Sequence, residues 1–169
     1  RALSWTTGIG LGHVSVAAPG PRQRAWHKLG NKTWFGWRTG RQHPTRWMTT
    51  VKQNGVTVGS THAPPGVDVT PRGLKGKVDR VRAWVSFVRA FRRWAKKNPG
   101  PFVIAADWND QPWRRGKFSV RWLARKTGAR IVGHGIDYVL VRGVQARHIT
   151  CIPAGPGMDH DAHLFEIEE

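Results

Sequence analysis

Hydrophobic and polar positions alternate in two neighbouring runs in the middle of the chain. The first run is Arg46–Lys52 and the second is Gly55–Thr61, with Asn54 between them. An Asn-Gly pair favours the tight turn of a β-hairpin, because both residues tolerate positive φ. Two prolines, Pro64 and Pro65, then stop the second run. The pattern therefore predicts a hairpin whose second strand ends next to His62.

Hydrophobic residues recur at helical spacing over Lys77–Asn98, and Arg or Lys fills much of the rest. Pro99-Gly100 ends this segment. We predict a long amphipathic helix whose cations form a solvated outer face. Cations in its last turn also interact favourably with the helix dipole. A shorter helix is predicted over Phe118–Lys126, before Gly128. The expected buried residues of the long helix are Val78, Val81, Trp84, Val85, Val88, Phe91 and Ala95.

Continuous apolar runs predict buried strands over Phe102–Ala106 and Ile136–Val141. Further strands are predicted over Val14–Ala18, Val144–Ile152 and His163–Ile167, and residues 66–76 are predicted to form a Gly/Pro-rich loop. Strands on both sides of a long helix predict an α/β sandwich in which helices cover the sheets. The chain has no internal repeat and no obvious linker, so we interpret residues 1–169 as a single domain.

The net charge of the chain indicates which class of molecule it binds. The chain has 169 residues, 28 Lys and Arg but only 10 Asp and Glu, and a net charge of +18. Such a balance favours a polyanion, which is most often nucleic acid and sometimes an anionic membrane surface. No apolar stretch approaches the roughly 20 residues that span a bilayer, and no secretory signal is evident. The sole cysteine, Cys151, excludes an internal disulfide, so the localisation stays unknown.

A Trp- and Arg-rich stretch near the amino terminus has two interpretations. Its indoles can pack at the edge of a core beside solvated arginines. Alternatively, the arginines neutralise phosphates while the indoles stack on bases. The stretch comprises Arg22, Arg24, Trp26, Lys28, Trp34, Trp37, Arg38 and Arg41.

Polar residues occupy four apolar settings in the second part of the chain. His62 follows a strand, Asp107 and Asn109 follow a buried strand, and Asp137 lies within another. A carboxylate inside an apolar strand needs a partner, and a histidine is the obvious one for Asp137. The fourth setting is Asp159-His160, after a Gly-rich loop. Asp107 and Asp159, at neighbouring strand ends, would suit Mg²⁺, with Mn²⁺ or Ca²⁺ as alternatives, and Asn109 could bond a phosphate oxygen.

Four short motifs resemble the endonuclease/exonuclease/phosphatase superfamily, of which deoxyribonuclease I is the best-known member. Val103–Asn109 resembles its apolar strand followed by Gly-Asp-Phe-Asn, and Ile136–Val139 resembles its Ile-Asp-Tyr strand. Met158–His160 resembles its Ser-Asp-His motif, and Ser60–His62 resembles its strand ending in His. All four occur in the family's order. The resemblance covers residues 46–169 and implies a deoxyribonuclease I-like fold, a two-sheet sandwich flanked by helices.

The resemblance implies a role for each matching residue. Asp107 would lie near the metal and the attacking water, and Asn109 would orient the scissile phosphate. Asp159 would bind the metal. His160, held by Asp137, would act as a general acid/base or stabilise the transition state, and His62 would make a second phosphate contact or act as an acid. The implied reaction is hydrolysis of a phosphodiester by metal-activated water.

One element of the family pattern is missing. Members begin with a strand bearing Asn and a second strand ending in a metal-binding Glu, whereas no Glu precedes Glu166 here. The chain would then be truncated at its amino terminus, would be completed by another chain or fragment, or would bind nucleic acid without cutting it. We favour the first two interpretations, because the other motif residues are present.

We therefore expect a Mg²⁺-dependent nuclease, with DNA favoured over RNA and no membrane partner. The alternatives are a catalytically impaired nucleic-acid-binding module and a phosphatase or phosphodiesterase of the same superfamily. A zinc site from Asp159, His160 and His163 is disfavoured, since strand alternation points His163 away from His160, and a lone Cys excludes Cys-rich zinc sites. Nucleic-acid contacts are expected from Arg46, Trp108, Trp113 and Arg114.

Overall fold

A computed structural model describes residues 23–29, 34–36, 41–43, 46–65, 74–156 and 160–168. The predicted strand over Val14–Ala18 lies outside these ranges. The strands and helices in chain order are β1 (Gln23–Leu29), β2 (Trp34–Gly36), β3 (Arg41–His43), β4 (Arg46–Gln53), β5 (Val56–His62), α1 (Leu74–Lys97), β6 (Phe102–Asp107), α2 (Val120–Thr127), β7 (Arg130–His134), β8 (Asp137–Arg142), β9 (Gln145–Ile152) and β10 (Ala162–Glu168).

Six strands form the main sheet, in the order β1-β4-β5-β6-β8-β7. Neighbouring strands are antiparallel except for β5 and β6, which run parallel and are joined by the crossover that contains α1. Strands β9 and β10 form a second, two-stranded sheet, and β2 pairs with β3. Because β5 and β6 are parallel, their carboxyl ends lie side by side at one end of the main sheet.

The predicted hairpin is confirmed by β4 and β5. Asn54 and Gly55 have φ of 48° and 79°, which are the positive values that a type I′ turn requires. The pairing aligns Val51 with Val58 and Met48 with Thr61.

Each face of the main sheet covers its own hydrophobic cluster. Alternation along β6 sends Phe102 and Ile104 towards α1 and α2, whereas Val103 and Ala105 point into the cluster that contains Phe165 of β10. The predicted α/β class is therefore confirmed: helices cover one face of the main sheet, and β9 and β10 cover the other.

The buried side of α1 agrees with the prediction in the second part of the helix and differs near its start. The predicted residues that are buried are Trp84, Val88, Phe91 and Ala95, whereas Val78 and Val81 are 38% and 44% exposed. These two exposed valines lie on the flank of the buried stripe, because aromatic residues fill the space against the sheet. The helix also begins at Leu74, inside the predicted loop. Of the two helices that the structure describes, neither is apolar over enough of its length to cross a membrane.

Arg142 joins the carboxyl ends of both helices. Its guanidinium donates to the carbonyls of Ala95 and Thr127 at 3.3 and 3.1 Å, and to those of Asn98 and Gly100. These are carbonyls near helix ends, where the helix dipole favours a cation. The side chain also lies over the ring of Phe102, 4.4 Å from its centroid.

Local capping sets the position of α2. The Ser119 side chain accepts a hydrogen bond from the backbone N–H of Trp122, and Gly128 ends the helix with a φ of 68°. The carboxylate of Asp110 accepts the N–H of Val120 at 2.8 Å. Since Asp110 lies just beyond β6, this bond ties the amino end of α2 to the end of the sheet where β6 finishes.

Candidate active site

Four ionisable residues lie in one row across neighbouring strands at the end of the main sheet. Asp107 of β6 pairs with His62 of β5 on one side and with Asp137 of β8 on the other. Asp137 also pairs with His134 of β7. Paired positions project from the same face, and alternation places this row on the face that Val103 and Ala105 share. The row therefore forms the polar end of the space between the two sheets.

The first His–carboxylate pair joins β5 to β6. His62 Nε2 lies 3.2 Å from Oδ2 of Asp107, and their side chains are 24% and 7% exposed. The backbone N–H of Ala63 also donates to the carbonyl of Asp107, at 2.9 Å. The pair is thus held by backbone pairing on both strands, and one edge of the imidazole reaches the surface.

The second pair joins β8 to the segment before β10. His160 Nδ1 lies 2.6 Å from Oδ2 of Asp137, and both side chains are about one-fifth exposed, at 21% and 18%. Burial raises the pKa of Asp137, and the charge of Asp107 raises it further, whereas the hydrogen bond with His160 lowers it. The partner expected for a carboxylate in an apolar strand is therefore present.

Asn109 closes the turn after β6. Its backbone N–H donates to Oδ1 of Asp107 at 2.8 Å, and its Nδ2 donates to the carbonyl of Ala63 at 3.1 Å. Its φ is 49°, a value that Asn adopts more readily than most residues. In the same turn, the backbone N–H of Trp108 donates a hydrogen bond to the carbonyl of Ile136, at 2.8 Å. These bonds fix Asn109 beside Asp107 and the end of β5.

The expected nucleic-acid contact through Trp108 is wrong. Its side chain is 0% exposed, its Nε1 donates to the carbonyl of Tyr138 at 2.9 Å, and its ring stacks on the Tyr138 ring. The reason is alternation: Asp107 points to the second sheet, so Trp108 points into the cluster under α1.

Arg46 is also poorly placed to grip nucleic acid, because it is only 9% exposed. Burial lowers its pKa to about 10, and the charge of Asp107 acts in the opposite direction. The guanidinium thus stays cationic at neutral pH and offsets negative charge at the row. Arg46 therefore balances the charge of Asp107 from a buried position and does not form the expected surface contact.

Trp113 and Arg114 lie on the loop between β6 and α2. Trp113 is 64% exposed. Arg114 donates to Oδ1 of Asp110 at 3.0 Å, and 26% of its side chain is exposed. Both residues can reach a ligand at this end of the sheet, so their expected nucleic-acid contact stays a prediction.

One set of donor atoms, two from the row and one from His160 beside it, suits a cation. A carboxylate oxygen of Asp107, one of Asp137 and a ring nitrogen of His160 lie within 4.8 Å of one another. The two carboxylates repel each other, which a divalent cation between them would relieve. Asp159, the other expected ligand, lies outside the described residues. Sequence reasoning missed His134, whose strand β7 it did not predict.

Comparison with known proteins gives distant structural likenesses. No protein-family model and no curated protein matches the chain. The human Nocturnin catalytic domain with bound sulfate is similar, with 10% identity and a TM-score of 0.49 over 86% of this chain and 58% of that chain. The 3′-5′ exonuclease NExo of Neisseria meningitidis has 13% identity and a TM-score of 0.48, over 88% of this chain and 80% of that chain.

The beta toxin of Staphylococcus aureus has 14% identity and a TM-score of 0.42, over 72% of this chain and 55% of that chain. This chain thus spans little more than half the length of the Nocturnin and beta-toxin chains. The three are members of the deoxyribonuclease I-like endonuclease/exonuclease/phosphatase superfamily, the family that the four sequence motifs resemble.

Proposed function

We propose that this chain hydrolyses phosphodiester bonds in nucleic acid, DNA in preference to RNA, with a divalent cation that is normally Mg²⁺. The observation that carries the proposal is the row at the end of the main sheet. It places the carboxylates of two His–carboxylate pairs, His62–Asp107 and His160–Asp137, on adjacent strands. Such pairs are suited to proton transfer and to stabilising charge on phosphoryl oxygens.

His160 is the proposed general acid/base. Its Nδ1 faces Asp137, which fixes the tautomer and stabilises the imidazolium form. Nε2 is then the nitrogen that can exchange a proton with the substrate. Both side chains of the pair are about one-fifth exposed, so part of the pair is open to a substrate.

His62 and Asn109 are the proposed phosphate contacts. His62 lies beside Asp107 and can donate to a phosphoryl oxygen when protonated. The Asn109 amide adds a neutral donor, so it can hold a phosphate without adding negative charge. Its remaining Nδ2 hydrogen is positioned by the bond to Ala63.

The residues present fit a hard cation, since Asp107 and Asp137 supply carboxylate oxygens close together. Asp107 and Asp137 would hold it, with Asp159 as the further ligand that the sequence implies. When bound, the cation supplies charge neutralisation at the phosphoryl group and activation of water. When no cation is bound, the positive charge of Arg46 offsets part of the negative charge of the carboxylates.

A nucleic-acid substrate is favoured by the net charge of +18. Exposed cations follow β6 at the same end of the sheet, including Arg115, Lys117 and Arg121. Such side chains bind a phosphate backbone through release of counterions. A small phosphate ester would need few of them, so a long polyanion explains the surface better.

Nicking of supercoiled plasmid tests the proposal. The unsubstituted chain should convert plasmid to open circles with Mg²⁺ and should stop with chelator. His160→Gln should lose nearly all of this activity. His27→Gln is the matched control, because His27 bonds Thr50 in β4 and lies outside the row.

The same assay separates the alternative function. If the unsubstituted chain and His160→Gln retard plasmid migration equally in a gel-shift assay and neither nicks the plasmid, the chain is a nucleic-acid-binding module rather than a nuclease. Cleavage that survives His160→Gln would place the catalytic group elsewhere.

A further inference from the structure

A second cluster of ligand-type side chains lies beside the row, between the two sheets. It contains three histidines and the sole cysteine: His134 of β7, His148 and Cys151 of β9, and His163 of β10. Cys151 Sγ lies 3.3 Å from His163 Nδ1, 3.6 Å from His148 Nε2 and 3.7 Å from His134 Nε2. His148 Nε2 is 3.1 Å from His163 Nδ1. Cys151 Sγ therefore lies within 3.7 Å of a nitrogen of each of the three rings, and the ligand atoms of His134, Cys151 and His163 all lie within 4.8 Å of one another.

The four separations are close to four of the six edges of a metal-centred tetrahedron. With Zn–N of about 2.05 Å and Zn–S of about 2.3 Å, tetrahedral angles require N···S edges of about 3.6 Å and N···N edges of about 3.3 Å. The three N···S distances of 3.3 to 3.7 Å and the N···N distance of 3.1 Å lie close to these values. Ordinary packing of histidine rings would not require the cysteine sulfur to approach a nitrogen of each ring.

A β-bulge creates this arrangement. Cys151 faces His163 directly across the hairpin, and His148 faces Phe165. The register skips Ile149 between these pairs. In a regular strand, residues three apart point to opposite faces, but the extra residue returns His148 to the face of Cys151.

We propose that His134, His148, Cys151 and His163 form a structural zinc site. A thiolate and three imidazoles are ligands that Zn²⁺ prefers in closed four-coordinate sites, and they differ from the oxygen-rich set at Asp107. His134 belongs to the main sheet, while the other three ligands belong to the second sheet. The metal therefore clamps the two sheets together at the polar end of the space between them.

The clamp also has a consequence for the row. His134 pairs with Asp137 across β7 and β8, and His163 follows His160 by three residues. Zinc would fix the start of β10 against β7 and so would hold His160 near Asp137. This positioning effect rests on the proposed function, whereas zinc binding does not.

Zinc titration of the metal-free chain, without a polyhistidine tag and without nucleic acid, tests the site. In competition with a chromophoric chelator, one equivalent should bind. Cys151→Ser and His163→Gln should each weaken binding by more than the roughly 100-fold that loss of an outer-shell partner can cause. His160→Gln should bind zinc as the unsubstituted chain does, which distinguishes this cluster from the cation group at Asp107.

Cobalt provides a direct view of the ligand set. Co²⁺ in the site should give a thiolate-to-metal charge-transfer band that Cys151→Ser lacks. Circular dichroism of the metal-free variants checks that they fold, and His134→Gln is the gentlest variant because His134 is exposed. A folded chain that binds no zinc, or a zinc affinity that is unchanged in both Cys151→Ser and His134→Gln, would overturn the proposal. Neither result depends on plasmid cleavage.

Discussion

His160 Nδ1 and Asp137 Oδ2 lie 2.6 Å apart, although the two residues are separated by β9 and by the segment before β10. The carboxylate therefore presents the imidazole in one orientation from β8, the strand next to the edge of the main sheet. Loss of the Asp137 carboxylate is expected to affect the rate of hydrolysis more than the stability of the fold.

Asp137→Asn should lower the rate of plasmid nicking by about 100- to 10,000-fold, because general acid–base catalysis contributes about that much and the amide favours the wrong tautomer. The measurement is the initial nicking rate at saturating Mg²⁺. Glu168→Gln, at the far end of β10, is the control and should keep the full rate. Equal rates for the two variants would contradict the assigned role.

Trp113 and Trp108 should behave oppositely despite being five residues apart. Trp113→Ala should leave stability nearly unchanged and weaken binding of single-stranded DNA by about 1–3 kcal/mol, the usual worth of one stacked base. Trp108→Ala should cost about 3–5 kcal/mol of unfolding free energy through the cavity it leaves. Urea denaturation and fluorescence anisotropy with labelled DNA separate the two effects. Stacking by Trp113 is ruled out if its variant binds DNA with unchanged affinity.

Salt dependence should map the nucleic-acid surface. The double variant Arg115→Gln/Arg121→Gln should reduce the slope of log binding constant against log salt by about 2, because each phosphate contact contributes about 0.9 on duplex DNA. Lys96→Gln/Lys97→Gln is the charge-matched control. Those lysines end α1 beside the start of β6, at the opposite end of the sheet from Asp107. Equal slopes for both doubles would mean that binding is spread over the whole surface.

Arg142→Met should destabilise the chain by about 3 kcal/mol, since hydrogen bonds to a charged group contribute about 1.5–3 kcal/mol each and several carbonyls lose a donor together. The measurement is the free energy of unfolding from urea titration. Lys97→Met, which replaces an exposed cation at the end of α1, should change it by less than about 0.5 kcal/mol. A comparably small loss for Arg142→Met would show that water replaces its bonds without cost.

Local sequence determines the elements that were predicted well. The turn at Asn54-Gly55 follows from backbone preference alone, and the buried strand β6 follows from a continuous apolar run. Strand β7 was missed because Arg130–His134 is short and contains Gly133, which interrupts the hydrophobic pattern and lowers the β-strand propensity. Its place comes from pairing with β8, a long-range contact that no local window contains.

Only part of the candidate site could be found in the sequence. Asp107, Asp137 and His160 were located because a carboxylate next to apolar residues is costly without a partner. The burial of Trp108 follows from strand alternation carried one residue beyond β6, which the motif comparison did not consider. The cluster around Cys151 was missed because its ligands come from three strands and depend on a bulge.

The bulge at Ile149 allows a spacing of three residues between His148 and Cys151 to serve the proposed zinc site, whatever side chain occupies position 149. Ile149 is 44% exposed and donates no ligand, so many side chains can replace it. Deleting the residue would leave His148 and Cys151 two positions apart, a spacing that keeps both side chains on one face of a regular strand without a bulge. In related chains the site is therefore compatible with either spacing, three positions apart across a bulge or two positions apart in a regular strand.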